Sequence, residues 1–175
     1  MIIELPCAKP DVDQASFIAP NATISGNVTL GKDVSVWFNA VIRAECDSIT
    51  IGDESNIQDH VMIHIDVGIP VSIGKRVTMG HSAVIHGCTI EDDVLIGMNA
   101  TVLNNAVIGR GSLVAAGALV PEGMIVPPNS LLAGVPARIK KTFSQEEVEK
   151  RQAHYIPLYI QEANEYAQAL NGDAQ

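Results

Sequence analysis

Aromatic side chains are nearly missing: one Trp, three Tyr and three Phe, 4% of a 175-residue chain that is 47% hydrophobic. A core with that inventory is filled by Val, Ile, Leu and Ala, which suits regular stacking better than large interlocking rings. Positive charge is also short. Eleven Lys and Arg stand against twenty Asp and Glu, for a net charge of -9, and this argues against nucleic acid and anionic membrane surfaces as partners. Cysteine is scarce and odd in number. Cys7, Cys46 and Cys88 show no CxxC spacing, so a reduced, cytoplasmic setting is the simplest expectation. No apolar run approaches a membrane span. The start "MIIELPCAKPDVD" lacks the basic-then-apolar order of a signal peptide.

What the chain does have is a short repeat. From Ile18 it reads in sixes: "IAPNAT", "ISGNVT", "LGKDVS", "VWFNAV". Each block opens on an aliphatic residue, and its fifth position is small or β-branched. The register resumes at Ile51, Ile57 and Ile63, and again at Ile73, Met79 and Ile85. The five-residue block "IHGCT" shifts it to Ile90, Ile96, Val102, Ile108, Val114 and Val120. Gly follows the aliphatic residue at Gly31, Gly52, Gly74, Gly97 and Gly109, where a tight backbone turn is expected. A period of six is neither helical nor a plain alternation. It describes a short strand plus a corner, with three blocks to a triangular coil and the aliphatic column inside. The pattern resembles the left-handed parallel β-helix of hexapeptide-repeat proteins, and the resemblance, not the period, supplies the hand.

The predicted architecture is mainly β: a left-handed parallel β-helix over residues 1–138, with an N-terminal strand and an exit turn, then a C-terminal helical segment and tail over 139–175. Pro127, Pro128 and Pro136 mark the exit. In "SQEEVEKRQAHYIPLYIQEANEYAQAL", Ser144 and Glu147 form a candidate capping box, and Pro157 is expected to kink or split the helix. The tail "NGDAQ" is expected to be loose. Tyr155, Leu158, Tyr159 and Tyr166 are the expected contacts of the helix with the β-helix or a neighbouring subunit.

Three histidines raise the functional question. His81 and His86 lie five residues apart, and His64 lies seventeen before His81. Neither a helix nor a flat strand brings His81 and His86 to one side. On the triangular coil, Ile51, Ile57 and Ile63 begin sides one, two and three, and Ile73, Met79 and Ile85 begin the same sides of the next coil. Arg43, His64 and His86 are then each the second residue of side three, in one column. Asp59 and His81 are each the third residue of side two, in another. Chains packed about a threefold axis would let side two of one face side three of the next, which predicts a homotrimer with His64 and His86 from one subunit and His81 from its neighbour. Two long hexads, nine residues from Ile42 to Ile51 and ten from Ile63 to Ile73, are expected to extrude loops at this corner. Three neutral imidazoles without a fourth protein ligand form an open metal site. Zinc is the default metal, with iron or cobalt compatible, and the expected chemistry is attack of an activated water on carbon dioxide or an activated carbonyl.

The stretches "VIRAE", "NIQDHVMIH", "MGHSAVIHGC", "IGMNATV" and "LLAGVPARIKK" resemble the γ-class carbonic anhydrase family over nearly the whole chain. The resemblance implies His64, His81 and His86 as zinc ligands. It gives Gln58 the role of hydrogen-bonding the hydroxide or substrate. Arg43 and Asp59 would form an ion pair across the subunit interface and steer bicarbonate. Two features depart from the family pattern. Glu45 stands where Asp is usual. "HIDVGIPVSIG" has no counterpart of the family's proton-shuttling glutamate, leaving Asp66 as its only carboxylate. His60, His154 and Tyr155 are other groups able to carry a proton. Two rival functions remain on the same scaffold: an acyl-coenzyme A thioesterase or acyltransferase, and a catalytically silent metal-binding trimer.

Overall fold

The computed structural model describes residues 1–6 and 8–172. The chain winds as a left-handed parallel β-helix of about seven turns and closes with one C-terminal helix. Each coil has three faces. One carries Phe17–Ile18, Ser35–Val36, Asn56–Ile57, Thr78–Met79, Leu95–Ile96, Leu113–Val114 and Ser130–Ala133, stacked in parallel and finished by the antiparallel strand Arg138–Thr142. The expected boundary at 138/139 therefore falls inside a strand. A second face carries Met62–His64, Val84–His86, Thr101–Val102 and Leu119–Val120, and a third carries Val71–Ile73, Thr89–Ile90, Val107–Ile108 and Ile125–Val126. The register matches the side assignment: Ile51 pairs with Ile73, Ile57 with Met79, Ile63 with Ile85, and Ile42 with Ile63.

The hexad chemistry explains the coil. First-position residues such as Ile42, Ile63, Ile85 and Val102 are fully buried, and so are the fifth-position Ala22, Ala40, Ala83 and Ala100. A small fifth residue lets the chain fold inward at the corner while the aliphatic residue fills the middle of the triangle. The second-position glycines serve a purpose other than the expected one. The left-handed backbone sits two residues later, at Asp33, Glu54, Arg76, Asn99 and Gly111. The glycines are required by close approach between coils. A Cβ on Gly97 would lie 2.5 Å from the Ala116 nitrogen, and one on Gly52 would lie 2.7 Å from the Gly74 carbonyl carbon.

The two long hexads also differ from expectation. "RAECDSIT" is not an extruded loop: Val41–Ile51 runs unbroken around the corner beside Thr23–Leu30, with the register shifting between Gly26 and Val28. The second long hexad does turn back on itself, through a bridge between Asp66 and Ile69.

The helix, Gln145–Gly172, starts as its capping box requires. Ser144 N–H donates to Glu147 Oε2 at 2.8 Å, and Glu147 N–H donates to Ser144 Oγ at 3.2 Å. Pro157 lies inside the helix without splitting it. Asn171 and Gly172, expected in the loose tail, belong to the helix, and 173–175 lie outside the described residues. The helix runs back along the first face. Arg151 donates to the carbonyls of Gly111 at 2.7 Å and Asp93 at 3.2 Å. Farther on, Tyr159 and Tyr166 pack on Trp37, and Tyr166 also meets Phe17 and Phe38. Five of the seven aromatics, Phe17, Trp37, Phe38, Tyr159 and Tyr166, are spent on this one seam. Among the described residues no helix is long and apolar enough to cross a membrane.

Candidate metal centre

Arg43, His64 and His86 occupy one column, each paired in register with the next. The two imidazoles converge: His64 Nδ1 lies 3.0 Å from His86 Nε2. Their far nitrogens are held by acceptors. His64 Nε2 faces Glu45 Oε2 at 3.3 Å, and His86 Nδ1 faces Asn104 Oδ1 at 2.5 Å. The Asn104 amide donates in turn to Asp66 Oδ2 at 2.9 Å. Glu45 also pairs with Arg43 through its other oxygen, so the longer side chain at this position bridges the arginine and a histidine of the same strand stack. Burial holds the His64 imidazole below its usual range, and the neighbouring Arg43 charge and His86 push the same way. These effects favour the neutral form of His64, the state in which imidazole binds metals.

His81 stands on the adjacent face of the same chain. Its Nδ1 lies 2.8 Å from Asp59 Oδ2, as the shared column on side two predicts. Gln58 is buried directly behind it. The Gln58 Oε1 accepts the His81 backbone N–H at 3.2 Å, and its Nε2 donates to Asn56 Oδ1 at 3.2 Å. Asn56 is locked by Thr78 Oγ1 at 3.0 Å. Between this group and the helix lies a cleft of about 160 Å³, lined by Gln58, Thr78, His81, Met98, Tyr155 and Tyr159. Burial raises the Tyr159 phenol above its usual range, with Glu162, Tyr155 and Asp59 adding to the effect. His60 is an exposed left-handed corner residue and His154 is exposed on the helix.

In one chain the structure brings His64 and His86 together with Arg43, and separately brings His81 together with Asp59 and Gln58. Among the described residues of a single chain, no three metal-binding side chains converge. Sequence reasoning missed Asn56 and Asn104, and gave Tyr159 only a packing role. Asn56 was within reach, because it lies two residues before Gln58, at the start of the short strand Asn56–Ile57. Asn104 carried no signal, since it meets His86 only through coil stacking.

The donor set has a chemical consequence. Carboxylates accept only, so Glu45 draws the His64 proton to Nε2 and Asp66 turns the Asn104 carbonyl toward His86 Nδ1. In the tautomers these acceptors favour, two lone pairs face each other at 3.0 Å. They repel unless a cation lies between them. Two nitrogens on a tetrahedral zinc ion at the usual bond length are about 3.3 Å apart, close to the separation seen here. His81, with Nδ1 on Asp59, likewise keeps Nε2 free, in the arrangement common to metal-ligating histidines.

Comparison with known proteins agrees with the fold. Residues 87–122 match the bacterial transferase hexapeptide (six repeats) family. The chain is 58% identical over 131 residues to the "Probable carbonic anhydrase" of Methanocaldococcus jannaschii, covering 75% of this chain and 82% of that protein. It is 36% identical over 161 residues to the carbonic anhydrase of Geobacillus kaustophilus, covering 92% and 87%. A solved hexapeptide transferase family protein from Anaplasma phagocytophilum superimposes with a TM-score of 0.89 at 37% identity, over 95% of this chain and 98% of that one. With the coil and these relatives in agreement, the chain belongs to the hexapeptide-repeat γ carbonic anhydrase family.

Proposed function

We propose that the protein hydrates carbon dioxide reversibly to bicarbonate in a homotrimer, at sites formed by His64 and His86 of one subunit and His81 of the next. The observation that carries this reading is the pair of converging imidazole nitrogens held from behind by Glu45 and Asn104. Zinc is the proposed metal, with iron or cobalt compatible with the same ligands. A bound ion would supply the Lewis acidity that ionises water near neutral pH. The chain's own residues do the rest. Gln58 is fixed at both ends of its carboxamide, which leaves one N–H and one lone pair to orient the nucleophile or carbon dioxide. Arg43 supplies the positive charge that receives bicarbonate. Asp59 orients His81 and, in the trimer, stands across from the neighbour's arginine column.

The unpaired Cys46 and Cys88 suit a reducing, cytoplasmic compartment. A thioesterase or acyltransferase acting on acyl-coenzyme A is the second reading, favoured by the hexapeptide-transferase fold relatives. A metal-binding trimer without turnover is the third. Metal analysis and a carbon dioxide hydration assay on one preparation, with an acyl-coenzyme A thioester run beside it, separate the three. Hydration that scales with metal content supports the first reading. Thioester hydrolysis without hydration refutes it, and inactivity toward both leaves the silent trimer.

A further inference from the structure

We propose that Asn104 is a positioning residue for His86. It fixes the imidazole tautomer that presents Nε2 as a lone pair, and Asp66 and Gly87 hold Asn104 to that task. The proposal rests on reading His86 as a metal ligand. The chain of reasoning starts at Asp66. Its carboxylate only accepts hydrogen bonds, so the Asn104 group facing it at 2.9 Å is the NH₂. The opposite end of the same carboxamide is an acceptor, and it lies 2.5 Å from His86 Nδ1. A neutral imidazole carries one N–H, and Asn104 Oδ1 draws it to Nδ1. Nε2 is then unprotonated and points at His64.

Gly87 makes the contact sterically possible. It has φ +50°, and a Cβ there would lie 2.5 Å from Asn104 Oδ1 and 2.8 Å from Ile69 Cγ2. Any side chain at Gly87 would displace the carboxamide and the turn that carries Asp66. Three separate segments thus meet at one ring nitrogen: the Asp66–Ile69 turn, the residue after His86, and the next coil at Asn104. Partners of this kind typically change metal affinity by about 10- to 100-fold.

The test reads the metal-free protein first. Ring nitrogen shifts of His86, measured by ¹⁵N NMR at a pH above the imidazole range, report which nitrogen carries the proton. Wild type is expected to show the Nδ1–H form, and Asn104→Leu to shift toward Nε2–H. Competition titration with zinc should then show about 10- to 100-fold weaker binding for Asn104→Leu. Asp66→Asn combined with Asn104→Asp exchanges donor and acceptor at constant charge, and it should restore both the tautomer and most of the affinity. Asn104→Ala gives the same readings without added bulk, should the leucine variant fail to assemble. An unchanged Nδ1–H tautomer and unchanged zinc affinity in both single variants would overturn the proposal. So would a folded double variant that recovers neither property. If His86→Ala binds zinc like wild type, the parent reading fails, while the metal-free tautomer still decides whether Asn104 positions the ring.

Discussion

Two lesions on different columns should complement each other if the site is shared between subunits. His81→Ala removes the ligand on the face beside the helix, and His64→Ala removes one on the next face. Each variant alone leaves every site with two imidazoles. Random mixing of equal amounts makes three quarters of the trimers hybrid, and cyclic order gives each hybrid a single junction where an intact His81 meets an intact His64–His86 pair. About a quarter of all sites should therefore be complete. Co-expression with two affinity tags, followed by native mass spectrometry, isolates the hybrids. Zinc content after dialysis against a competing chelator should approach one ion per hybrid trimer and near zero for each parent. Verified hybrids that retain no zinc would refute the inter-subunit assignment, because a site built within one chain is broken in every subunit of the mixture.

Other consequences are separable from that one. Gln58→Ala should lower turnover more than metal content, since Gln58 orients rather than ligates; equal losses, measured by stopped-flow hydration and metal analysis, would contradict its role. A small buffer such as imidazole should accelerate turnover, because Asp66 is engaged by Asn104 and the other candidate carriers lie on the corner and the helix; rates independent of buffer concentration would point to an internal shuttle. Gly97→Ala should destabilise the fold by about 1–3 kcal/mol in urea unfolding, since the added Cβ meets the Ala116 nitrogen at 2.5 Å; a neutral or stabilising result would return the glycine to an unfolded-state role. The buried Cys88 thiol is pushed up to about 12 by desolvation. Its folded value lies above the unfolded one, so its contribution is complete below pH 9 and is lost as pH rises from 9 toward 12. Native labelling followed by peptide mapping should leave Cys88 unmodified at pH 8, with denaturation freeing it to react.

The coil and both histidine columns were readable because the repeat converts sequence number into position. Once Ile63 and Ile85 occupy one side, His64 above His86 follows from arithmetic and the ladder. The same arithmetic failed where the period broke. Nothing in "RAECDSIT" distinguishes a loop from a strand turning a corner, and the outcome was set by pairing with Thr23–Leu30. Glycine misled for a related reason. A second-position Gly and a left-handed turn are both common in tight coils, but only the neighbouring coil reveals that close approach is the constraint. Pro157 was read from local chemistry alone. The helix around it is tied down by Arg151 on one side and by Tyr159 and Tyr166 on the other, and this tertiary packing holds it together across the missing N–H. Asn104 was invisible because it stands third in its hexad, after Val102, while His86 stands second in the hexad one coil earlier, so counting columns does not align them.

The rival acyl-transfer reading meets an electrostatic obstacle in this chain. Beside His81 and Gln58 lies a hollow of about 400 Å³ bordered by Asp59, Glu162 and Glu165, with Trp37, Tyr159 and Tyr166 as its apolar wall. Coenzyme A carries several phosphate charges, and a protein with net charge -9 whose hollow gathers three carboxylates repels such a ligand both at long range and on arrival. Carbon dioxide is neutral and feels neither effect. Bicarbonate would feel both, which on the proposed mechanism favours its departure from Arg43. Arg43 itself is compensated by Glu45, so on the proposed mechanism the anion would meet a partly neutralised charge rather than a free one. Raising ionic strength separates the two readings, because screening weakens repulsion between charges more than a Debye length apart. Thioester turnover should climb with salt if it occurs at all, whereas capture of carbon dioxide should stay flat. A hydration rate that rises with salt in step with thioester hydrolysis would mean that entry of an anion, and not of a neutral gas, governs the site.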